Sequence, residues 1–328
     1  GGGFGGGGGG GYPGGSGGFG GGGGGGGGNP DAPSQVATAS VFGGGSGVGF
    51  GNDLSDAPIG AGGGGLGAGG VIFVHQGTVS IVNSTLTGNT AQGGGGKSQY
   101  KSHGGRALGG AIFNLNGTVS IFNSTLAYNT TRAGTNIAAA TPELAQGGAV
   151  YNLTLGQGAP PATLHLGNSI LSNSLSSGAI LDLINDDQQG KTVTVLDSSG
   201  PNLVTDCNFC DDPVLVGNLR FVVKQDPLLD PLAKNGDATE TLAPRAASQA
   251  IGRGEPSLCT GGVVGGVDQR NQERPPSCTL GAYESSPGSG AAATGCQLGQ
   301  RTAAGPRALS GLLFAALGLL LLRRRRTC

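Results

Sequence analysis

The central part of the chain alternates apolar and small polar residues in short runs, and the whole pattern is repeated. Residues 69–92 (GGVIFVHQGTVSIVNSTLTGNTAQ) recur about 40 positions later as residues 109–132 (GGAIFNLNGTVSIFNSTLAYNTTR). The Thr-Val-Ser-Ile run inside each copy predicts a β-strand with one buried face. Weaker copies begin at Thr163 and Thr192, so the unit occurs at least four times.

A strand of this kind cannot bury its apolar face alone, so successive copies are expected to stack as coils of a parallel β-solenoid. Each copy has room for about three strands of ordinary length. When the four copies are aligned, equivalent apolar residues fall in one column inside the solenoid. The residue after each of them points outside. The predicted internal residues are Val79, Val119, Leu164 and Val193, and the predicted external residues are Ser80, Ser120, His165 and Thr194.

Asparagine follows the alternating strand at the same place in three copies, at Asn83, Asn123 and Asn168. We expect these amides to hydrogen-bond to the backbone at a tight corner and to the equivalent amide one coil away. The glycine-rich stretch 93–100 between two copies is predicted to be a loop that leaves the coil at one corner.

Composition points away from a compact enzyme. Glycine accounts for 73 of the 328 residues, and Met and Trp are absent. Residues 1–58 are rich in glycine, and such a segment loses much backbone entropy on ordering, so we predict that it is disordered. The formal net charge is −1. Because no basic stripe is interleaved with aromatic residues, the sequence does not support nucleic-acid binding.

Catalysis on a β-solenoid would require clustered polar side chains. Polysaccharide lyases and hydrolases with this architecture use carboxylates to bind calcium or to act as acid and base. The acidic pairs in the repeat region are Asp186-Asp187 and Asp211-Asp212, and neither has a matching carboxylate one coil away. The histidines have no metal-ligand spacing. We therefore predict no catalytic residue, metal or cofactor, with a pectate lyase-like enzyme and a carbohydrate-binding solenoid as alternatives.

The chain contains six cysteines, and in an exported protein paired cysteines indicate disulfides. Cys259 and Cys278 bracket an Asp-Gln-Arg motif and are predicted to form one bridge. This bridge would close a loop of about twenty residues and contribute about 3 kcal/mol. Cys207 and Cys210 form either a second bridge or a redox pair, since a lone Cys-x-x-Cys is weak evidence for zinc.

Several of these motifs are similar to those of known families. The GGAI and FNLN tetrapeptides at 109–116 and the NST…N pattern resemble repeats of polymorphic outer-membrane proteins. Four later motifs resemble, in order, the closing segment of choice-of-anchor Q domains. They lie at 226–229, 232–236, 267–270 and 278–284. The resemblance covers roughly residues 60–284 and implies a secreted right-handed parallel β-helix, although Asn271 and Thr279 depart from the usual motif.

The C-terminus carries a separate signal. Residues 308–322 are apolar, and about fifteen residues are short for a bilayer span of about twenty. An arginine cluster follows, which is expected to hold that end in the cytoplasm; its members are Arg323, Arg324, Arg325 and Arg326. With the preceding Gly295-Cys296, this arrangement is similar to the myxobacterial C-terminal sorting signal. The resemblance implies that Cys296 becomes the attachment point and that the tail is removed.

Together these features predict four regions: a glycine-rich segment (1–58), a β-helix domain with its closing segment (59–284), a linker (285–307) and a hydrophobic helix with the arginine cluster (308–328). The predicted protein is exported and anchored at the cell surface or outer membrane through its C-terminus. We expect a monomeric, non-catalytic, adhesin-like or structural role with an extracellular glycan or protein as ligand. An autotransporter passenger is disfavoured, because no series of alternating strands of about ten residues follows the repeats.

Overall fold

The computed structural model describes residues 7–8, 15–25, 42–47, 61–96, 102–135, 144–186 and 194–285. Gly1–Ala291 form one compact unit, and a second unit, Ala292–Cys328, lies outside the described residues. The described part is an all-β parallel solenoid in which short strands recur coil after coil. Two short helices, α1 (Pro213–Asn218) and α2 (Pro256–Thr260), follow the repeats.

Each complete coil contains five strands rather than the three predicted. The first coil has β1 (Gly67–Ala68), β2 (Ile72–His75), β3 (Thr78–Val82), β4 (Thr85–Thr87) and β5 (Thr90–Gln92). The second has β6 (Ala107–Leu108), β7 (Ile112–Leu115), β8 (Thr118–Phe122), β9 (Thr125–Ala127) and β10 (Thr130–Arg132). The third has β11 (Ala145–Gln146), β12 (Val150–Leu153), β13 (Thr163–Gly167), β14 (Ile170–Ser172) and β15 (Leu175–Ser176).

The last part of the solenoid is less regular. A short strand, β16 (Ala179–Ile180), turns back antiparallel to β15. The fourth coil and the strand that follows it comprise β17 (Leu183–Asp186), β18 (Val195–Ser198), β19 (Asn202–Val204) and β20 (Phe221–Val223).

Equivalent strands of successive coils stack into five sheets. All of the strand pairings are parallel except the antiparallel pairing of β15 with β16. Sheet A contains β1, β6 and β11; sheet B contains β2, β7, β12 and β17; sheet C contains β3, β8, β13 and β18. Sheet D contains β4, β9, β14, β19 and β20, and sheet E contains β5, β10, β15 and β16. The two clearest repeats pair as predicted, with Val79 opposite Val119 and Ser80 opposite Ser120.

The corners between sheets use backbone with positive φ. Asn83, Asn123 and Asn168 have φ of 46°, 45° and 50° between sheets C and D. Gly69 and Gly109, with φ of 60° and 66°, turn the chain between sheets A and B. Asparagine and glycine are the residues that tolerate this region best. The repeated asparagines and glycines therefore mark corners, and each corner divides the repeat into shorter strands than expected.

The interior of the solenoid is a continuous apolar core. Val119 and Leu164 are completely buried, whereas Val79, in the first coil, is only half-buried. Ser80, Ser120 and His165 lie outside, so the predicted register is confirmed for the first three coils. Each buried aliphatic side chain contributes about 1.5–3 kcal/mol relative to exposure.

The predicted register of the fourth coil is wrong. Leu196, not Val193, lies opposite Leu164, and Asp197, not Thr194, lies opposite His165. This shift of three residues exchanges the two faces of the strand. The observed register packs Leu196 against the core and leaves Asp197 exposed, whereas the predicted one would do the reverse. Val193 lies outside the described residues, and Thr194 donates to the carbonyl of Asp186 at 2.6 Å.

Asparagine ladders do form, but at other positions than predicted. Inside sheet B, the Asn114 amide donates to Asn152 at 2.7 Å, and the Asn152 amide donates to Asn185 at 2.8 Å. The ladder gives partners to the side-chain oxygens of Asn152 and Asn185, which would be costly to bury alone, whereas Asn114 Oδ1 at its start has no partner among the described residues. The corner residues Asn83 and Asn168 instead direct their side chains to residues 255–267, beyond the repeats.

The serine that follows each corner asparagine joins one coil to the next. The backbone N–H of Ser84 donates to the Ser124 hydroxyl at 3.1 Å, and the N–H of Ser124 donates to the Ser169 hydroxyl at 3.2 Å. The ladder ends where the N–H of Ser169 donates to the Asn202 side chain at 2.9 Å. Coil stacking therefore accounts for the serine of the Asn-Ser-Thr pattern.

Glycine-rich residues pack outside sheet B. Gly20 donates to the carbonyl of Phe42, and Gly105 donates to that of Gly94, both at 2.8 Å. Residues 15–25 and 42–47 thus carry backbone hydrogen bonds to other segments, and residues 93–96, which form the predicted loop between two coils, pack against the same region. Backbone hydrogen bonds and the absence of a Cβ permit this close packing. The rest of both segments lies outside the described residues.

The residues after the repeats cover sheet D and the C-terminal end of the solenoid. Leu229, Leu242 and Leu280 pack on Ile170 and Leu203 of sheet D. The end of the internal core is closed by α1 and β20; its covering side chains are Val216, Leu219, Phe221, Cys207, Phe209 and Cys210. Two outer faces are thus covered by other parts of the chain.

Candidate ligand-binding face

The outer side of sheet C faces solvent. Its strands alternate inward and outward residues, and the Thr-Val-Ser-Ile run of β3 and β8 places threonine and serine on the outward side. We call this surface the sheet C face; its residues are Thr78, Ser80, Thr118, Ser120, Thr163, His165, Val195 and Asp197. Thr78, Ser80 and Asp197 are exposed, and the others are half-exposed.

Polar side chains of the sheet C face form two rows along the solenoid. The first row contains Thr78, Thr118 and Thr163, and the second contains Ser80, Ser120, His165 and Asp197. Neighbouring strands lie about 4.8 Å apart, and residues two positions apart lie about 6.6 Å apart. Each hydroxyl both donates and accepts hydrogen bonds. The face is therefore a regular, nearly flat grid of hydrogen-bonding groups.

Charge is sparse on this grid. His165 Nδ1 lies 3.3 Å from Asp197 Oδ2, and both side chains are substantially exposed. An exposed pair of this kind contributes little to stability. Among the described residues of the sheet C face, Asp197 is the single carboxylate, whereas glycoside hydrolysis usually requires two. The arrangement favours hydrogen bonding to a neutral, polar ligand over acid–base chemistry.

One edge of the sheet C face is formed by α2. A Cβ at Gly167 would lie within 3.0 Å of both Leu258 on α2 and the ring of Phe122 on β8. The missing side chain at Gly167 therefore makes room for Leu258. This contact fixes the border of the face next to sheet D.

A separate cleft lies beside the first coil, with a volume of about 300 Å³. Its walls combine residues of the first coil with two residues from the closing segment, and they include one carboxylate. The lining residues are Val71, Thr85, Leu86, Thr87, Asn89, Leu232 and Glu240. Val71 and Leu232 are partly exposed there, at 49% and 41%. The cleft offers both apolar and polar contacts.

The closing segment contains a buried charged network, which we call the clasp; its members are Asp268, Arg270, Arg274, Thr279 and Glu284. Arg274 donates to Glu284 at 3.2 Å and to the carbonyls of Thr279 and Gly281 at 3.0 and 2.8 Å. Glu284 also accepts from the N–H and hydroxyl of Thr279, both at 2.9 Å. Burial raises the pKa of Glu284 and lowers that of Arg274.

A second ion pair completes the clasp. Arg270 donates to Asp268 Oδ2 at 2.6 Å, and both side chains are almost fully buried. The guanidinium also lies 3.6 Å from the centre of the Tyr283 ring, a cation–π contact. Buried charges require such partners to be tolerated. The Asp-Gln-Arg motif singled out in the sequence is therefore a structural element of the closing segment.

The corner asparagines connect the closing segment to the solenoid. The Asn83 amide donates to the carbonyls of Val264 and Val267, at 3.1 and 2.8 Å. Asn168 accepts from the N–H of Glu255 at 2.7 Å. This contact was missed in the sequence, because nothing in the repeat indicates that its corners face a segment about 90 to 180 residues further along the chain.

Four of the cysteines form two bridges, one beside the corner asparagines and one at the C-terminal end of the solenoid. A disulfide joins Cys259 of α2 to the buried Cys278, with 5.7 Å between their Cα atoms. Cys207 and Cys210 form a second bridge at the C-terminal end of the solenoid. The predicted attachment site Cys296 and the arginine cluster, Arg323, Arg324, Arg325 and Arg326, lie outside the described residues.

Two buried titratable groups lie near the turn into the fourth coil. Burial raises the pKa of Asp182 to about 7, although the N–H groups of Ser174 and Asp206 donate to it at 2.8 and 3.1 Å. Burial, reinforced by a 2.5 Å hydrogen bond to Asp186, raises the pKa of Tyr151. The two groups bond to different partners, so they do not form a shared acid–base site.

Two kinds of feature are absent from the part of the chain that the structure describes. No cluster of three or more His, Cys, Asp or Glu side chains there has an arrangement that could bind a metal ion. In the same ranges, neither helix has the length and apolar character needed to cross a membrane. The apolar residues 308–322 are not among those ranges.

Comparisons with protein-family models, with curated proteins and with solved structures found no match for this chain. The geometry of the sheet C face and of the closing segment is therefore the basis for any statement about function.

Proposed function

We propose that this protein is an exported, adhesin-like β-helix that binds an extracellular glycan through the sheet C face. The observation that carries the proposal is the exposed grid of hydroxyl groups on a rigid sheet. Sugars present hydroxyls that both donate and accept, and such groups match side chains with the same capacity. The low charge of the face favours a neutral glycan over a polyuronate.

Export and anchoring are part of the same proposal. The two disulfides support an oxidising compartment, because structural disulfides are rare in the cytosol. We propose that the chain is attached to the cell envelope after Glu284, through Cys296 or through the apolar tail and its arginine cluster.

We further propose that the coil is right-handed, as in the choice-of-anchor Q domains that the closing motifs resemble. Equivalent strands of successive coils are parallel and lie in the same sheet. Crossovers between such strands are right-handed in nearly all proteins, because of the twist of the strands. An experimental structure would test this proposal directly.

The binding proposal can be tested with the full-length protein on a glycan array. Ser120→Arg places a long charged side chain in the centre of the sheet C face, and Thr90→Arg places one on the exposed side of sheet E. We expect the wild type and Thr90→Arg to bind the same glycan, and Ser120→Arg to lose at least tenfold in affinity.

Two results would overturn the proposal. Equal binding by Ser120→Arg and Thr90→Arg would place the ligand elsewhere. Depolymerisation of a polyuronate by the wild type, lost in Ser120→Arg, would replace the adhesin with a polysaccharide-active enzyme. Equal melting temperatures of the three proteins provide the control for folding.

A further inference from the structure

The glycine-rich residues are arranged as a bundle of extended segments, which we call the glycine bundle. Its members come from the N-terminal region, from the stretch before β1 and from the insertions between coils. They are residues 15–25, 42–47, 61–67, 93–96, 102–106 and 133–135. Hydrogen bonds between their backbones join segments that are far apart in sequence.

Hydrogen bonds in the glycine bundle repeat every three residues. Gly20 and Gly23 donate to residues 42–47, at 2.8 and 2.9 Å. Gly64 and Gly67 both donate to residues 103–106 at 2.9 Å, and Gly93 donates to Arg132 and Gly96 to Thr135 at 2.9 and 3.1 Å. A β-ladder would repeat every two residues, whereas an extended polyproline II-type helix has three residues per turn.

The number of bonded neighbours also excludes a sheet. A β-strand has hydrogen-bonded neighbours on two sides, but residues 61–67 bond to four other segments. Gly63 donates to Gly23, Gly64 accepts from Gly45 and donates to His103, and Gly65 accepts from Gly94. Neighbours on several sides require that the segments pack as parallel rods.

Side chains are excluded from the interior of this packing. A Cβ at Gly45 would lie within 3.0 Å of the backbone of residues 103–104, and a Cβ at Gly63 would lie equally close to the backbone of residues 45–46. At Gly62 the nearest neighbour would be 3.4 Å away, an ordinary contact. Glycine is therefore required at position 63, whereas the adjacent position 62 has room for a Cβ.

The glycine bundle also covers an apolar surface. Phe113, Leu115, Tyr151 and Leu153 point outward from sheet B and are nonetheless at most 3% exposed. Phe19, Phe42 and Leu66 of the bundle pack against this cluster, and Phe19 and Phe42 stack with ring centres 5.1 Å apart. An uncovered aromatic and aliphatic face of this kind promotes association between molecules.

We propose that the glycine bundle is a strap, which holds residues 15–25 and 42–47 over the apolar outer face of sheet B and prevents self-association through that face. The strap depends on backbone hydrogen bonds and three apolar anchors. The solenoid interior has its own apolar core, so the strap can open while the coils remain folded.

Hydrogen exchange on three full-length variants tests this proposal. In Gly45→Ala and Gly63→Ala, we expect the amides of Gly20 and Gly23 to exchange at least tenfold faster than in the wild type. The β8 amides should stay protected, binding of a hydrophobic dye should rise, and dimers or larger species should appear in light scattering. Gly62→Ala, the matched control, should behave like the wild type.

Two results would overturn the strap. Unchanged exchange at Gly20 and Gly23 in Gly45→Ala would show that the bundle does not need glycine at this position. Equal loss of protection in β8 would show that the bundle and the coils unfold as one unit. Gly45 lies outside the coils, so Gly45→Ala changes no residue of a coil. If the coils of this variant fail to fold, the cause is therefore the change in the glycine bundle.

Discussion

Asparagine has two separate tasks in this protein, and its position in the coil decides which. At the corners, Asn83 and Asn168 adopt positive φ and bind the closing segment. Inside sheet B, Asn114 and Asn152 form part of a buried amide ladder. Asparagine suits the corner because its short polar side chain stabilises left-handed backbone. It suits the ladder because its amide both donates and accepts.

The alternation of inward and outward side chains along β8 can be tested with substitutions of single residues. Val119→Asp should unfold the solenoid, because Val119 is completely buried and an unpaired charge is not tolerated there. Ser120→Asp should change the melting temperature by only a few degrees, since its side chain points outward. Circular dichroism melting of the two variants provides the measurement. A folded Val119→Asp protein with unchanged melting would contradict the register.

Asp182 gives a prediction about pH. Its pKa is about 7 when folded and near 3.8 when unfolded, so between these values the folded state binds the extra proton. Stability should therefore fall as pH rises from about 4 to about 7, by at most about 4 kcal/mol. Chemical denaturation at several pH values measures this slope. Asp182→Asn should reduce it, and an unchanged slope would assign it to other groups.

The closing segment is the element that the clasp stabilises. It has few regular strands, so its position depends on specific polar contacts and on one disulfide. Arg274 binds Glu284 and several carbonyls, while Asn83 and Asn168 hold the segment on the corners of the coils. A segment without a continuous ladder of its own needs such contacts to satisfy its buried polar groups.

Arg274→Met should destabilise the protein by about 3–5 kcal/mol, because it leaves the Glu284 carboxylate buried without its partner. Arg245 provides the control, since its pair with Asp230 is more than half exposed on both sides. Arg245→Met should cost less than about 1 kcal/mol. Denaturant midpoints of the two variants are compared, and equal midpoints would mean that the clasp does not stabilise the fold.

The Cys259–Cys278 bridge is a second property of this element. Non-reducing peptide mapping of protein purified from the cell envelope should recover the two cysteines in one linked peptide pair. Reduction should lower stability by about 3 kcal/mol, as expected for a closed loop of this length. Free thiols at both positions would remove the bridge and weaken the case for export.

At the scale of the whole molecule, different parts of one chain cover different sides of the solenoid. The glycine bundle lies on sheet B, the closing segment on sheet D, and α1 with β20 at the C-terminal end of the core. The sheet C face remains accessible. The flanking residues therefore decide which outer sides of the solenoid are covered and which stay exposed.

The C-terminal region provides the prediction at this scale. An apolar stretch of fifteen residues reaches about 22 Å as a helix, less than the roughly 30 Å hydrocarbon core, which favours processing over a permanent span. Intact-mass analysis of envelope protein should therefore give a chain that ends near Cys296. Cys296→Ser should be mislocalised. Recovery of wild-type protein that retains the arginine cluster, with the variant normally localised, would show a simple anchor.

The sequence by itself determined the parallel β-solenoid, the stacking of its first three coils and the Cys259–Cys278 bridge, and it left Cys207 and Cys210 open between a bridge and a redox pair. These features follow from local information: a period of two within strands, a repeat of fixed length and cysteines placed near each other in sequence. Val119 and Ser120 lie on the predicted sides because both belong to a regular alternation of apolar and polar residues. Only one register satisfies that alternation.

Only the tertiary structure decided the fourth register, the glycine bundle and the clasp. Near Val195 and Leu196 two apolar residues are adjacent, so alternation alone fits two registers, and the match with β13 selects one. Glycine has no side chain to encode a partner, so the order of residues 15–25 depends on backbone groups that other segments supply. Arg274 and Asn83 are 191 residues apart in sequence, and their contact exists only because the closing segment folds back onto the first coil.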